Sequence, residues 1–185
     1  TKPVQKTLLH KGSNTNLSIE DHSEHGSVVI KSLNEELPSP KAIKKFLHEF
    51  EVGKDLKIPD IRRVLGWDKV EQQYRIMLEH VDAISLTEYK STNPSLRDTL
   101  KVFSSLAKSL AELHELGVIH NRISPDNVLV EIGTMSVQVI DLGESTTYSM
   151  KSSHMGNPTQ LEGKVEYMAP EQTGRMNRVI DHRSD

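Results

Sequence analysis

Residues His120 to Val128 read HNRISPDNV, and thirteen residues beyond Val128 the triplet Asp141-Leu142-Gly143 follows the apolar run Val137 to Ile140. Taken singly, these are turn residues. Asn127 sits within Pro-Asp-Asn and Asp141 stands two places before a glycine, ordinary chemistry for a chain reversal. Taken together, they put an amide oxygen and a carboxylate on loops flanking a short hairpin, because Val128 to Val130 and Val137 to Ile140 read as strands around Gly133. Hard oxygen donors of this kind suit Mg2+, which keeps waters and binds phosphate at the same time. Arg122, five residues before Asn127, stays protonated at any relevant pH and cannot act as a base.

Upstream of this stretch, Ser95 to Leu116 is the strongest helix. Leu96, Leu100, Phe103, Leu106, Leu110 and Leu113 recur every three or four residues, and Gly117 closes it. Further upstream, Ile61, Val64, Leu65 and Trp67 read as one strand and Tyr74 to Leu78 as another, with a polar turn from Asp68 to Gln73. Pro38 and Pro40 precede a helical pattern at Ile43, Phe46, Leu47 and Phe50, so a helix starts near Pro40. The first thirty residues read as polar and irregular until the β-branched run Val28-Val29-Ile30, a short buried strand leading to Lys31. Beyond Gly143 lies a Ser/Thr/Met-rich loop of about twenty residues, a length usually reserved for function or disorder.

The bulk properties set limits. A chain of 185 residues is long enough for one domain with a real core. Its net charge of -3 supplies no global basic field for nucleic acid or anionic membranes, so any nucleotide site must be local. Without cysteine, disulfides and thiolate metal sites are excluded and a reducing, cytoplasmic setting is permitted. No apolar run approaches the ~20 residues of a membrane span. The chain opens at Thr1 without an initiator methionine and closes on DHRSD, and is expected to be a piece of a longer protein.

Six segments fall in register: VVIK, FLHEFEV, IMLEHVDAISL, LAELHELGVIHNRISPDNVLV, VQVIDLGES and YMAPE. In order and spacing this series resembles the eukaryotic-type, serine/threonine-like protein-kinase domain across essentially the whole chain. The resemblance implies an α+β, bilobal protein-kinase-like fold, truncated. It would have a strand-rich N-lobe with one regulatory helix over residues 1–81 and part of the helical C-lobe over 82–185. It also implies ATP and Mg2+ as ligands, with Lys31 paired to Glu49 of the regulatory helix to hold phosphate. Leu78 would guard the adenine pocket, Glu79 to Val81 would form the hinge, Asn127 and Asp141 would be the metal ligands, and Glu171 would anchor the activation segment. Asp185 looks like the first functional residue of the central buried helix. The longer string EGKVEYMAPEQTGRMNRVIDHRSD, above all Gln172 to Arg178, looks like the N-terminal kinase-like domain of large hybrid signalling proteins that also carry an ATPase-type module, a GAF domain and a histidine kinase.

Three departures fall on one chemical role. Arg122 stands at the catalytic aspartate, Ser124 at the loop lysine and Lys164 at the activation-segment threonine. Losing a positioned base costs ~10^2 to 10^4 in rate, or ~3 to 5 kcal/mol of barrier. The phosphate-covering stretch Lys11 to Glu20, KGSNTNLSIE, keeps only Gly12, although Ser13, Asn14, Thr15 and Asn16 offer donors. His22 and His25 lack a third ligand and read as a solvated turn, and Arg175 with Arg178 as a solvated or internally paired face. Ser145, Thr146, Thr147, Ser149, Ser152 and Ser153 are phosphorylation candidates within ordinary loop chemistry.

Three functions remain open. One is a pseudokinase signalling module that keeps its nucleotide and metal ligands, with protein partners or downstream domains of the same polypeptide. Another is a divergent active kinase that uses ATP on protein substrates, with Asp126 or Glu144 as the substitute base. The third is an interaction module that binds no nucleotide.

Overall fold

A computed structural model describes residues 7–12, 14–34, 37–147, 164–174 and 178–185. The chain divides into two compact units, Thr1–Lys57 with Arg62–Asp82, and Ile58–Ile61 with Ala83–Asp185. The architecture is α+β, as expected. Among the described residues no helix is long and apolar enough to cross a membrane.

The first unit is a five-stranded antiparallel sheet covered by one helix. Its elements are β1 (Thr7–Lys11), β2 (Thr15–His22), β3 (Gly26–Leu33), α1 (Pro40–Gly53), β4 (Val64–Val70) and β5 (Gln73–Glu79), with strand order β1-β2-β3-β5-β4. β3 lies between two partners, pairing Lys31 with Leu17 on one side and Ile76 on the other. Its alternate residues Val29 and Leu33 join Phe46, Ile76 and Leu78 in the core. Because side chains alternate along a strand, Lys31 falls on that same apolar face. α1 begins where expected. Ser39 caps it by accepting from the Ala42 N–H at 3.2 Å, and Pro40 occupies the first turn, where its missing N–H costs nothing.

Three expectations for this unit need correction. Residues Thr7–Lys11 and Thr15–His22 form β1 and β2 instead of irregular chain. β2 alternates apolar Leu17 and Ile19 with polar neighbours and packs them on the core, whereas β1 is wholly exposed and pairs with β2, a pairing that hydropathy cannot reveal. The turn expected from Asp68 to Gln73 shrinks to Glu71 and Gln72, both at positive φ (48° and 70°), as a two-residue hairpin turn requires. The strands extend outward as a ribbon held by a two-pronged Arg75–Asp68 contact (2.6 and 2.8 Å) and the stacked Trp67–Tyr74 rings. Finally, Ile61 does not belong to β4. Although residues 58–61 lie within the 1–81 stretch, they pack with the second unit.

That second unit comprises β6 (Ile84–Ser85), α2 (Leu86–Ser91), α3 (Leu96–Glu115), β7 (Val118–Ile119), β8 (Val128–Val130), β9 (Val137–Val139) and β10 (Thr146–Thr147). β6, β8 and β9 form one small antiparallel sheet, and β7 pairs with β10. The segment Ile58–Ile61 is clamped beside β9. The Val139 N–H donates to the Asp60 carbonyl at 2.8 Å, Gln138 donates to the Pro59 carbonyl at 2.7 Å, and the Ser109 hydroxyl of α3 donates to the Asp60 carboxylate at 3.0 Å. α3 spans the expected range, with Ser95 as its cap and Gly117 at φ 74° after it. Its buried face, however, is Val102, Leu106, Ser109 and Leu113. Leu96, Leu100 and Phe103 are 74%, 61% and 52% exposed, so half of the expected apolar stripe faces outward.

The two faces of α3 should respond differently to truncation. Leu113→Ala removes a fully buried side chain and should cost about 2 to 5 kcal/mol, whereas Leu100→Ala should stay within about 0.5 kcal/mol, as read by urea unfolding of the chain.

Candidate active site

In the first unit the lysine expected to hold phosphate is carried on an apolar strand face. An ammonium there must be paired or it would be desolvated alone. Lys31 Nζ donates to Glu49 Oε2 at 2.6 Å, with the two side chains 14% and 4% exposed. Glu49 reaches it because α1 presents Phe46, Glu49 and Gly53 on its buried face. Nearby, burial lowers the Arg62 guanidinium below its usual value, while Glu49 and Glu79 partly restore it. Leu78 is buried on β5, and Glu79 ends that strand, its N–H donating to the Arg63 carbonyl at 3.0 Å and its carboxylate 3.6 Å from Arg63. Val81 follows in a half-buried, irregular stretch.

Gly12 lies in the turn between β1 and β2, where its N–H donates to the Thr15 carbonyl at 2.9 Å and its carbonyl accepts from Asn34 Nδ2 at 2.7 Å. The turn therefore closes on itself, and the Gly12 N–H is already committed within the protein. A Cβ at this position would meet the Thr15 carbonyl at 2.9 Å, so glycine is required for the turn itself. Ser13 lies outside the described residues. His22 and His25 stack at 5.0 Å in the next turn, and among the described residues no group of three or more His, Cys, Asp or Glu could hold a metal.

In the second unit the loop from His120 to Asn127 is fastened at several points. His120 is fully buried. Its Nδ1 accepts from the Arg122 N–H at 3.2 Å, so Nε2 carries the proton and donates to the Ile140 carbonyl at 3.0 Å. Asn127 Nδ2 donates to the Arg122 carbonyl at 2.9 Å, leaving Oδ1 as the amide's acceptor, and the Asn127 carbonyl accepts from the Ile140 N–H at 3.0 Å. Asp141 then takes a left-handed conformation (φ 70°, ψ 67°), tolerable for aspartate but costly enough to need a fixed surround. Arg122 Nη1 donates to Asp141 Oδ2 at 3.2 Å.

These loops line a cavity of about 340 Å3 whose walls include Arg122, Ser124, Asp126, Asn127 and Lys164. Lys164 donates to Asp126 Oδ2 at 2.6 Å, a bond that raises the lysine above its ordinary value, and the Thr87 hydroxyl donates to Asp126 Oδ1 at 2.7 Å. Both cations on the cavity wall are thus already set against carboxylates. Glu171 accepts from the Ser184 hydroxyl at 2.6 Å, the chief reason its carboxyl lies below the usual range. Of the other loop residues, Ser145, Thr146 and Thr147 are described and the rest, with Arg175, are not.

Sequence reasoning understated two residues. Asp185, whose side chain is fully buried, accepts from the His120 and Asn121 N–H groups at 2.8 and 2.7 Å and lies 2.8 Å from His114 Nε2. Asn121, at φ 65°, donates its amide to the Glu144 carbonyl (2.9 Å) and the Thr146 hydroxyl (3.0 Å), while Gln172 donates to its carbonyl at 2.8 Å. The only signal was an asparagine beside Arg122, a residue type that tolerates left-handed backbone.

Residues 11–185 match the family described as "Protein kinase domain". The chain is 27% identical over 133 residues to serine/threonine-protein kinase PrkC of Bacillus subtilis (strain 168), covering 70% of this chain and 20% of that protein. It is 28% identical over 141 residues to probable serine/threonine-protein kinase PknB of Lactococcus lactis subsp. lactis (strain IL1403), covering 75% and 22%. With serine/threonine-protein kinase Pkn1 of Myxococcus xanthus the identity is 25% over 184 residues, 96% of this chain and 26% of that protein. The chain thus spans only about a fifth to a quarter of the length of these curated relatives.

Removing the Asp185 carboxylate strands buried N–H groups, so Asp185→Ala should destabilise the chain by about 3 kcal/mol and Asp185→Asn by less, measured by urea unfolding. Ser184→Ala should let the Glu171 carboxyl titrate higher in a carboxyl NMR titration. Because that carboxyl is held low in the folded chain, the Ser184–Glu171 contribution is present above the ordinary carboxylate range and is lost as pH falls through the folded value.

Proposed function

Because the chain belongs to the protein kinase domain family, we propose that it is a nucleotide-holding domain deficient in phosphoryl transfer, a pseudokinase signalling module. One observation carries this. The residue at the catalytic-base position, Arg122, is a guanidinium already donating to Asp141. A permanent cation accepts no proton from an attacking hydroxyl, and it is set against a carboxylate instead of facing a substrate.

The Lys31–Glu49 pair supports retention of nucleotide, since a lysine fixed in this way is poised to neutralise phosphate oxygens. ATP, when bound, supplies the phosphates. The chain's own residues would bind and orient it, with Lys31 on the phosphates, the Glu79 to Val81 stretch as hinge and Leu78 beside the base. Gly12 has its N–H committed inside its turn, so the cradle would rest on other donors such as Asn14 and Asn16. The donor set expected for Mg2+, Asn127 with Asp141, does not fit a metal as it stands, because a guanidinium already occupies Asp141. The working-kinase alternative needs another base, and Asp126 has both oxygens engaged, by Thr87 and by Lys164. The QTGRMNR stretch supports a place in a large hybrid signalling protein, with partners among its other domains.

ATP at a hundredfold excess over its dissociation constant should stabilise the chain by about 2.7 kcal/mol in thermal melts, and Lys31→Met should lose most of that gain. Transfer of labelled γ-phosphate to a protein substrate should lie ~10^2 to 10^4 below an active kinase. Turnover in the ~1 to 100 s-1 range of working kinases would favour the active alternative. Absence of any ATP-dependent stabilisation would favour the interaction module.

A further inference from the structure

We propose that Arg122 is a tethered counter-ion for Asp141, standing where a divalent cation would stand, so that the chain binds a nucleoside triphosphate without needing a divalent metal. This rests on the nucleotide-holding role proposed above and adds the metal requirement to it.

The contact is unlike a casual surface ion pair. Exposed pairs contribute little because two long side chains must be immobilised in high dielectric. Here the Asp141 side chain is 22% exposed and that of Arg122 40%, and the backbone at each end is fixed before the side chains meet. The Arg122 N–H is held by His120 Nδ1 and its carbonyl by Asn127 Nδ2. The residue preceding Asp141, Ile140, is bound through its carbonyl to His120 Nε2 and through its N–H to the Asn127 carbonyl. Two loops are thereby stapled together through a fully buried imidazole and one asparagine, and the guanidinium reaches Asp141 from a fixed base.

The competition follows from ligand chemistry. Mg2+ requires near-octahedral oxygen donors at about 2.0 to 2.1 Å and gives up water reluctantly. To bind Asp141 Oδ2 it must displace Nη1, and the arginine stays charged whether bound or not. The chain offers little in exchange, since no cluster of three or more acidic or histidine side chains that could hold a metal occurs among the described residues. A guanidinium left in place brings one fixed positive charge and further N–H donors of the geometry that suits phosphate oxygens. It supplies part of the charge neutralisation that a metal would bring and adds no base.

The test is a titration of the chain with a fluorescent ATP analogue in two buffers, one with EDTA and one with Mg2+. For the parent, the two dissociation constants should agree within about threefold, and Arg122→Lys, which keeps the charge, should behave similarly. Arg122→Ala should bind about tenfold more tightly with Mg2+ than with EDTA, a difference of about 1.4 kcal/mol, because the guanidinium then no longer stands against Asp141 Oδ2. A parent that itself binds tenfold or more tightly with Mg2+ overturns the proposal, and that measurement needs no variant to fold. An Arg122→Ala chain with the parent's ratio overturns it as well. No binding in either buffer overturns the nucleotide-holding role and this inference together, so the two failures are distinguishable.

Discussion

The Asp185 carboxylate, fully buried, gathers the N–H groups of His120 and Asn121 and the ring of His114. A buried carboxylate is expensive unless its lone pairs are used, and here two contacts go to the loop that carries Arg122 and Asn127 and the third to α3. With the loop anchored from below, His120 can fasten Ile140, Asn127 can fasten Arg122, and Asn121 can reach Glu144 and Thr146. The left-handed backbone at Asn121 and Asp141 is tolerable only because so many bonds determine it.

Charge in the second unit is arranged as closed pairs. Arg122 faces Asp141 and Lys164 faces Asp126, so a cation stands against two of the carboxylates that are candidates for chemistry. In the first unit, Lys31 and Glu49 are closed on one another in the same way, but there the pairing presents the ammonium in a fixed position. Similar geometry serves opposite ends. On the proposed nucleotide-holding role, a lysine held by a carboxylate remains a cation that would meet phosphate, while an aspartate held by an arginine would meet a metal less readily.

Where expectation and structure differ, the cause is the same in each case. The helix from Ser95 was legible from its apolar spacing and its Ser and Gly ends, yet three of its six stripe residues face outward, because which side of a helix is buried depends on what packs there. β1 carries no inward alternation and exists through backbone pairing with β2. Ile61 read as the start of a strand because it precedes Val64, but it is 2% exposed in the second unit, bridged to Val139.

The sequence by itself determined the family, the α+β class and which residue types stand at the positions that the family resemblance singles out, since these depend on residue type and spacing along one chain. It also determined that position 122 holds a permanent cation, a property of the guanidinium in any surroundings. Only the tertiary structure decided what that cation faces. Arg122 and Asp141 are nineteen residues apart, Lys164 and Asp126 thirty-eight, and no local rule fixes a contact across such a separation. It arises because buried backbone groups on the intervening loops must each find a partner, and here the partners are His120, Asn127 and Asp185.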